Sequence, residues 1–167
     1  VYGSSGGTFR CVAIKSGEEV FKERSVGKGS TLYTGGRFIL RSEKGPVALI
    51  EATPQGMKEI SQFEQPHRSS ARAWPHPVVA NGKLYFGSDD GFAYCIDAKT
   101  AEEVWRHRPI VDKRHAPSNG KLISLWPCRT GVLVQGKRAY FAASMLPWEA
   151  SYLCAVDALT GKPEGSG

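Results

Sequence analysis

The chain repeats itself, and the repeat limits what it can fold into. Residues 11–21 read Cys11-Val12-Ala13-Ile14-Lys15-Ser16-Gly17-Glu18-Glu19-Val20-Phe21, and residues 95–105 read Cys95-Ile96-Asp97-Ala98-Lys99-Thr100-Ala101-Glu102-Glu103-Val104-Trp105. A partial third copy is Ala155-Val156-Asp157-Ala158-Leu159-Thr160-Gly161-Lys162. Each full copy is an alternating apolar strand, a polar turn and a second strand that ends in an aromatic. The two full copies start 84 positions apart, or two periods of about 42 residues. About four short strands fit in one such period, and that combination is the sequence signature of propeller blades. The expected fold is therefore all-β: a β-propeller of four-stranded antiparallel blades.

About four blades are expected, two of them partial, at approximately 1–25, 30–64, 76–108 and 130–162. They form a single domain or half-propeller over 1–167. The first blade lacks its opening strand, with Val1-Tyr2-Gly3 set against Tyr85-Phe86-Gly87. The last lacks its fourth strand, with Gly165 where the closing aromatic belongs. The Asn81-Gly82 pair between apolar runs is a strong hairpin signal. A long connection over 109–130 and an insertion at Met145 to Ala150 interrupt the rhythm. Excursions of this length in a compact β-fold are usually functional loops or packing arms. Open blade edges invite pairing with another chain.

Charge and cysteine content narrow the function classes. The net charge is +6 and the pI about 9.2, a surface that draws anionic partners weakly and without sequence preference. Basic residues concentrate at Arg106-His107-Arg108 and Lys113-Arg114-His115, without the interleaved aromatics of a nucleic-acid groove, so nucleic acid is not an expected partner. No apolar run reaches the ~20 residues of a membrane span, and the first residues lack the basic start and apolar stretch of a secretory leader. The four cysteines, Cys11, Cys95, Cys128 and Cys154, form no Cys-x-x-Cys pair and read as small buried side chains. The four histidines, His67, His76, His107 and His115, have no metal-ligand spacing.

The run Gly82-Lys83-Leu84-Tyr85-Phe86-Gly87-Ser88-Asp89-Asp90-Gly91, followed by Asp97-Ala98-Lys99-Thr100-Ala101-Glu102-Glu103-Val104-Trp105, resembles the repeat of pyrroloquinoline-quinone-like (PQQ-like) β-propellers. Ala155 to Lys162 resembles the same tryptophan-docking repeat without its Trp. Val47 to Pro54 and Leu122 to Val132 also resemble stretches of uncharacterised propeller proteins from bacteria such as planctomycetes. The resemblance implies seven or eight blades in a whole member. In the family's quinoprotein alcohol dehydrogenases it implies a quinone stacked between a Trp and a vicinal disulfide. It also implies a calcium held by Glu and Asn beside an Asp base. The family also includes the lipoprotein scaffold of the outer-membrane assembly machinery.

Adjacent cysteines are absent here, and no Asp, Glu and Asn align with the catalytic set. Asp97 and Asp157 read as turn-capping carboxylates. No catalytic, metal or cofactor residue is therefore expected, with PQQ and calcium relevant only to an enzyme reading. The expectation is a non-catalytic module for binding or assembly, outside the cytoplasm (periplasmic or secreted). It would work through protein partners or self-association. The alternative is a fragment of a PQQ-dependent dehydrogenase whose active site lies in other blades. Large aromatics with arginine in loops suit recognition, so the candidate partner-binding residues are Arg72, Trp74, His76, Trp126, Arg129 and Trp148.

Overall fold

The computed structural model describes residues 1–65, 75–118 and 120–164. Every regular element among them is a β-strand, and the strands divide between two compact units, residues 1–65 and 66–167.

The first unit holds two sheets. β1 (Tyr2–Ser5), β2 (Thr8–Val12) and β3 (Glu19–Arg24) pair in sequence order, as do β4 (Gly29–Thr34), β5 (Arg37–Ser42), β6 (Val47–Thr53) and β7 (Gly56–Phe63). All pairings are antiparallel. Alternation buries Phe38, Leu40, Ala48 and Ile50 together with Phe9, and Tyr2, Phe21, Ala52 and Met57 pack on them. Six strands from the two sheets contribute to this core, which a lone hairpin could not close.

The second unit repeats the plan. β8 (Val78–Ala80), β9 (Lys83–Gly87), β10 (Ala93–Asp97) and β11 (Glu103–His107) form one antiparallel sheet. β14 (Leu133–Gln135), β15 (Arg138–Ala143) and β16 (Tyr152–Asp157) form the next. That last sheet has no full fourth strand among the described residues. Pro163 makes an isolated bridge to Val156, where such a strand would begin. Gly165, expected at the closing-aromatic position, lies outside the described residues. The core joins Tyr85, Ala93, Cys95 and Trp105 of one sheet to Ala139, Phe141, Ala143 and Val156 of the other.

Two details differ from the sequence reading. The 109–130 connection is not wholly irregular: β12 (His115–Ser118) and β13 (Lys121–Ser124) make a separate two-stranded ribbon. Pro117 sits in β12, where an edge position tolerates its missing N–H. The match of Val1-Tyr2-Gly3 to Tyr85-Phe86-Gly87 is also one residue out. Cys11 pairs with Tyr2 and Cys95 pairs with Tyr85, so Tyr2 is the counterpart of Tyr85. Residue type suggested the wrong alignment, because an aromatic-Gly pair recurs one step along. The ladder decides it, since a slip of one residue would turn every side chain to the other face.

The same register irregularity falls between Cys11 and Val12, between Leu49 and Ile50, and between Cys95 and Ile96. A bulge repeated at one position in three sheets is a feature of the repeat.

Candidate functional site: the loop end of the second unit

Antiparallel order sends alternate connections to opposite ends of a sheet. In the second unit the short hairpins at Asn81-Gly82 and at 98–102 lie at one end. The 88–92 turn, the exit of β11 and the 144–151 insertion lie at the other, with the 109–132 connection between them.

The 88–92 turn is clamped to that connection. Cys128 N–H donates to the Ser88 carbonyl at 2.9 Å, and Ser124 N–H donates to the Asp89 carbonyl at 3.0 Å. The fit leaves no room for side chains at two glycines. A Cβ on Gly87 would stand 2.1 Å from the Cys128 carbonyl oxygen, and one on Gly91 would stand 2.8 Å from Ser124 Oγ.

The charged groups here are paired inward. Arg129 donates to both oxygens of Asp89, at 2.7 and 3.2 Å, and Asp89 is buried. A two-pronged guanidinium–carboxylate pair fixes geometry as well as charge. Asp90 accepts the Tyr94 hydroxyl at 2.6 Å and the Phe92 N–H at 3.0 Å. Burial, reinforced by the Asp90 charge, pushes the Tyr94 phenol well above its ordinary range. Arg108 donates to the Asp90 carbonyl at 2.7 Å and lies 4.5 Å from the centre of the Phe92 ring. On the outer side, Arg114 bonds Asp112 at 2.7 Å and reaches both Glu149 oxygens at 3.4 Å, so it ties the connection to the insertion. Its guanidinium also sits 5.0 Å from the Trp126 ring.

The expected site residues are distributed unevenly. Trp126 is buried: its indole N–H donates to the Ala150 carbonyl at 3.0 Å, and its ring meets Tyr152 edge-on at 6.3 Å. It braces the insertion from below. Arg129 is engaged with Asp89. Trp148 is 76% exposed, on a turn closed by Glu149 N–H to the Leu146 carbonyl at 3.2 Å. His76 is exposed between two buried prolines, Pro75 and Pro77. Arg72 and Trp74 lie outside the described residues, as does His67. The structure thus joins Trp126, Arg129 and Trp148 to one loop assembly and adds Asp89, Asp90, Tyr94, Arg108 and Arg114. Asp89 carried no sequence signal beyond a turn, because its partner is 40 positions away.

Within the basic concentration at 106–115, Arg114 is the residue most fully ion-paired. Arg106 faces Glu103 at 3.8 Å, Arg108 is held on a carbonyl, and Arg114 is shared between two carboxylates.

The thiols are poor nucleophiles. Burial pushes Cys95 up to about 12 and raises Cys128 and Cys154 as well, so at neutral pH all three hold their protons. Among the described residues no three His, Cys, Asp or Glu side chains converge as metal ligands. The four cysteines are free. No helix among the described residues is long and apolar enough to cross a membrane.

Within each unit one blade sheet docks on the next through an aromatic from its outermost strand, Phe21 in the first and Trp105 in the second, which is the arrangement of a β-propeller built from a tryptophan-type docking repeat. The sequence model of the PQQ family, described as the glucose/ethanol/alcohol dehydrogenase beta-propeller domain, matches residues 54–166, well over half of the chain. The chain belongs to that family.

Solved structures agree on the fold. Quinohemoprotein alcohol dehydrogenase ADHIIG from Pseudomonas putida HK5 superposes with TM-score 0.67 at 15% identity, over 98% of this chain and 32% of that one. BamB from Moraxella catarrhalis gives 0.61 at 18%, over 95% and 46%. A europium-containing methanol dehydrogenase gives 0.59 at 19%, over 81% and 23%. The chain thus spans less than half the length of each. No curated protein matches the sequence. The resemblance to planctomycete propeller proteins finds no support in these comparisons.

Proposed function

We propose that this chain is a non-catalytic propeller module that binds or assembles protein partners, with the loop end of the second unit as its contact face. The observation that supports this most is the state of that face. Arg129 and Arg114 are engaged with carboxylates and its thiols are held protonated, yet it presents Trp148 on a turn braced by Trp126 and by the Arg114–Glu149 pair. A rigidly mounted exposed aromatic is what an interface anchor needs, and little there suits bond-making. Self-association through open blade edges belongs to the same reading, which locates the chain outside the cytoplasm.

A second reading has a specific basis. The matched family is described by its dehydrogenases, and two of the three structures above carry that name. Here the chain would be part of a PQQ-dependent dehydrogenase whose reacting groups lie in other blades.

Two measurements separate the readings. Dye-linked oxidation of primary alcohols or aldoses after loading this chain with PQQ and Ca²⁺ would overturn the scaffold reading. Light scattering over a range of concentrations that gives twice 18.2 kDa, or capture of one defined partner that Trp148→Ala abolishes, would support it.

A further inference from the structure

A recess of about 460 Å³ opens beside the core of the first unit, lined by Tyr2, Tyr33, Gly36, Phe38 and Ala52. Strand register identifies the counterparts of these residues. Tyr2 corresponds to Tyr85 through their cysteine partners. Tyr33 faces Phe38 as Val134 faces Ala139. Phe38 faces Ile50 as Ala139 faces Val156, and Ala52 follows Glu51 as Ala158 follows Asp157. In the second unit Tyr85, Ala139 and Ala158, with Val134 packed against them, close into one core around the indole of Trp105. There the indole N–H donates to the Ala158 carbonyl at 3.0 Å.

Phe21 holds the Trp105 position in the first unit. It is one ring shorter and has no N–H. The recess is walled instead by aromatics. Phe38 meets Tyr33 at 4.7 Å and Tyr2 at 5.0 Å, and Tyr33 is 63% exposed. Gly36 adds no bulk, since nothing lies within 4 Å of a Cβ placed on it. Two tyrosine hydroxyls give this apolar wall polar points able to accept a hydrogen bond.

We infer that this recess binds a small planar aromatic ligand bearing a ring N–H, of the indole class, from solvent. The ligand's ring packs on Tyr33 and Phe38, and its N–H donates to a tyrosine hydroxyl oxygen. It would supply to the first unit what Trp105 supplies to the second from within the chain.

The test titrates indole and 1-methylindole into the full chain carrying ¹³C-labelled Tyr and Phe, followed by NMR. Indole is expected to give saturable shifts confined to Tyr2, Tyr33 and Phe38, with 1-methylindole weaker. Tyr33→Ala, an exposed position, should weaken binding roughly tenfold, the scale of one aromatic contact. Phe21→Trp should fill the recess from inside and abolish it. The absence of saturable shifts up to the solubility limit would overturn the site. So would shifts unchanged in both Tyr33→Ala and Phe21→Trp. Equal binding of 1-methylindole would overturn the N–H requirement.

Discussion

Two blade seams in this molecule share one strand plan and are sealed by different chemistry. In the second unit Trp105 and Tyr85 both donate to the Ala158 carbonyl, at 3.0 and 3.1 Å. The indole covers Gly161 so closely that a Cβ there would stand 2.6 Å from Trp105 Cγ. In the first unit Phe21 has no donor, and its ring joins Tyr2 and Phe9 at 6.2 Å each. The polar link is supplied two residues on. Glu23, the counterpart of His107 by register, accepts the Met57 N–H at 3.1 Å. One seam is anchored by an aromatic donor on a carbonyl, the other by a carboxylate on an N–H. The lesson is that a repeat conserves the demand, a filled gap and a satisfied turn, while leaving the residues free to vary.

If that contrast is real, the seams should break differently. Trp105→Ala removes a buried indole and one of the two donors to the Ala158 carbonyl, so a loss of about 3–5 kcal/mol is expected in urea unfolding. Phe21→Ala should cost less, because Phe21 is only half-buried and its ring has no hydrogen bond to lose. Gly161→Ala places a methyl group against the indole at a backbone φ of +68°, and about 2 kcal/mol of destabilisation is expected from the clash and strain together. Ala101, the turn position that corresponds to Gly161, already carries a Cβ at φ 63°, and Ala101→Gly should therefore stabilise or be neutral. Glu23→Ala leaves the Met57 N–H without its carboxylate and should cost about 1 kcal/mol, whereas Glu23→Gln keeps an acceptor oxygen and should cost less.

The smallest effect concerns pH. Burial holds His107 below its ordinary value of 6.5, with the Gly161 backbone acting the other way. The unfolded chain therefore takes up the proton first as pH falls. Stability should be flat above that value and decline as pH drops below it toward the depressed folded value. His107→Gln should flatten that segment of the stability–pH curve.

Much of this was legible in the chain. The repeat at 11–21 and 95–105 implied a strand, a turn and a second strand in both places, and the ladders agree; the bulge they share came only from the structure. Asp97 and Asp157 cap their turns as expected: Asp97 takes the Lys99 and Thr100 N–H groups at 2.8 and 3.0 Å, and Asp157 takes those of Leu159 and Thr160 at 3.1 and 2.8 Å. These are local bonds, set by neighbours two or three residues away, and local sequence encodes them. The hairpin at 115–124 was not read, because Pro117 and a short polar strand give no alternating apolar signal.

The loop end was legible only as a set of suggestive residues. Trp126, Arg129 and Trp148 look alike in sequence, as large or charged groups in irregular segments. Folding separates them into a buried brace, an ion-paired clamp and an exposed ring. The sequence alone determined the strand periodicity, the turns and the membership of a docking repeat, since each depends on residues within one blade period. Only the tertiary structure decided which face is buried, that Asp89 meets Arg129, that Glu23 takes the Met57 N–H, and that a recess opens beside Tyr2, Tyr33 and Phe38. Those outcomes depend on contacts between distant segments, and packing, not spacing, selects them.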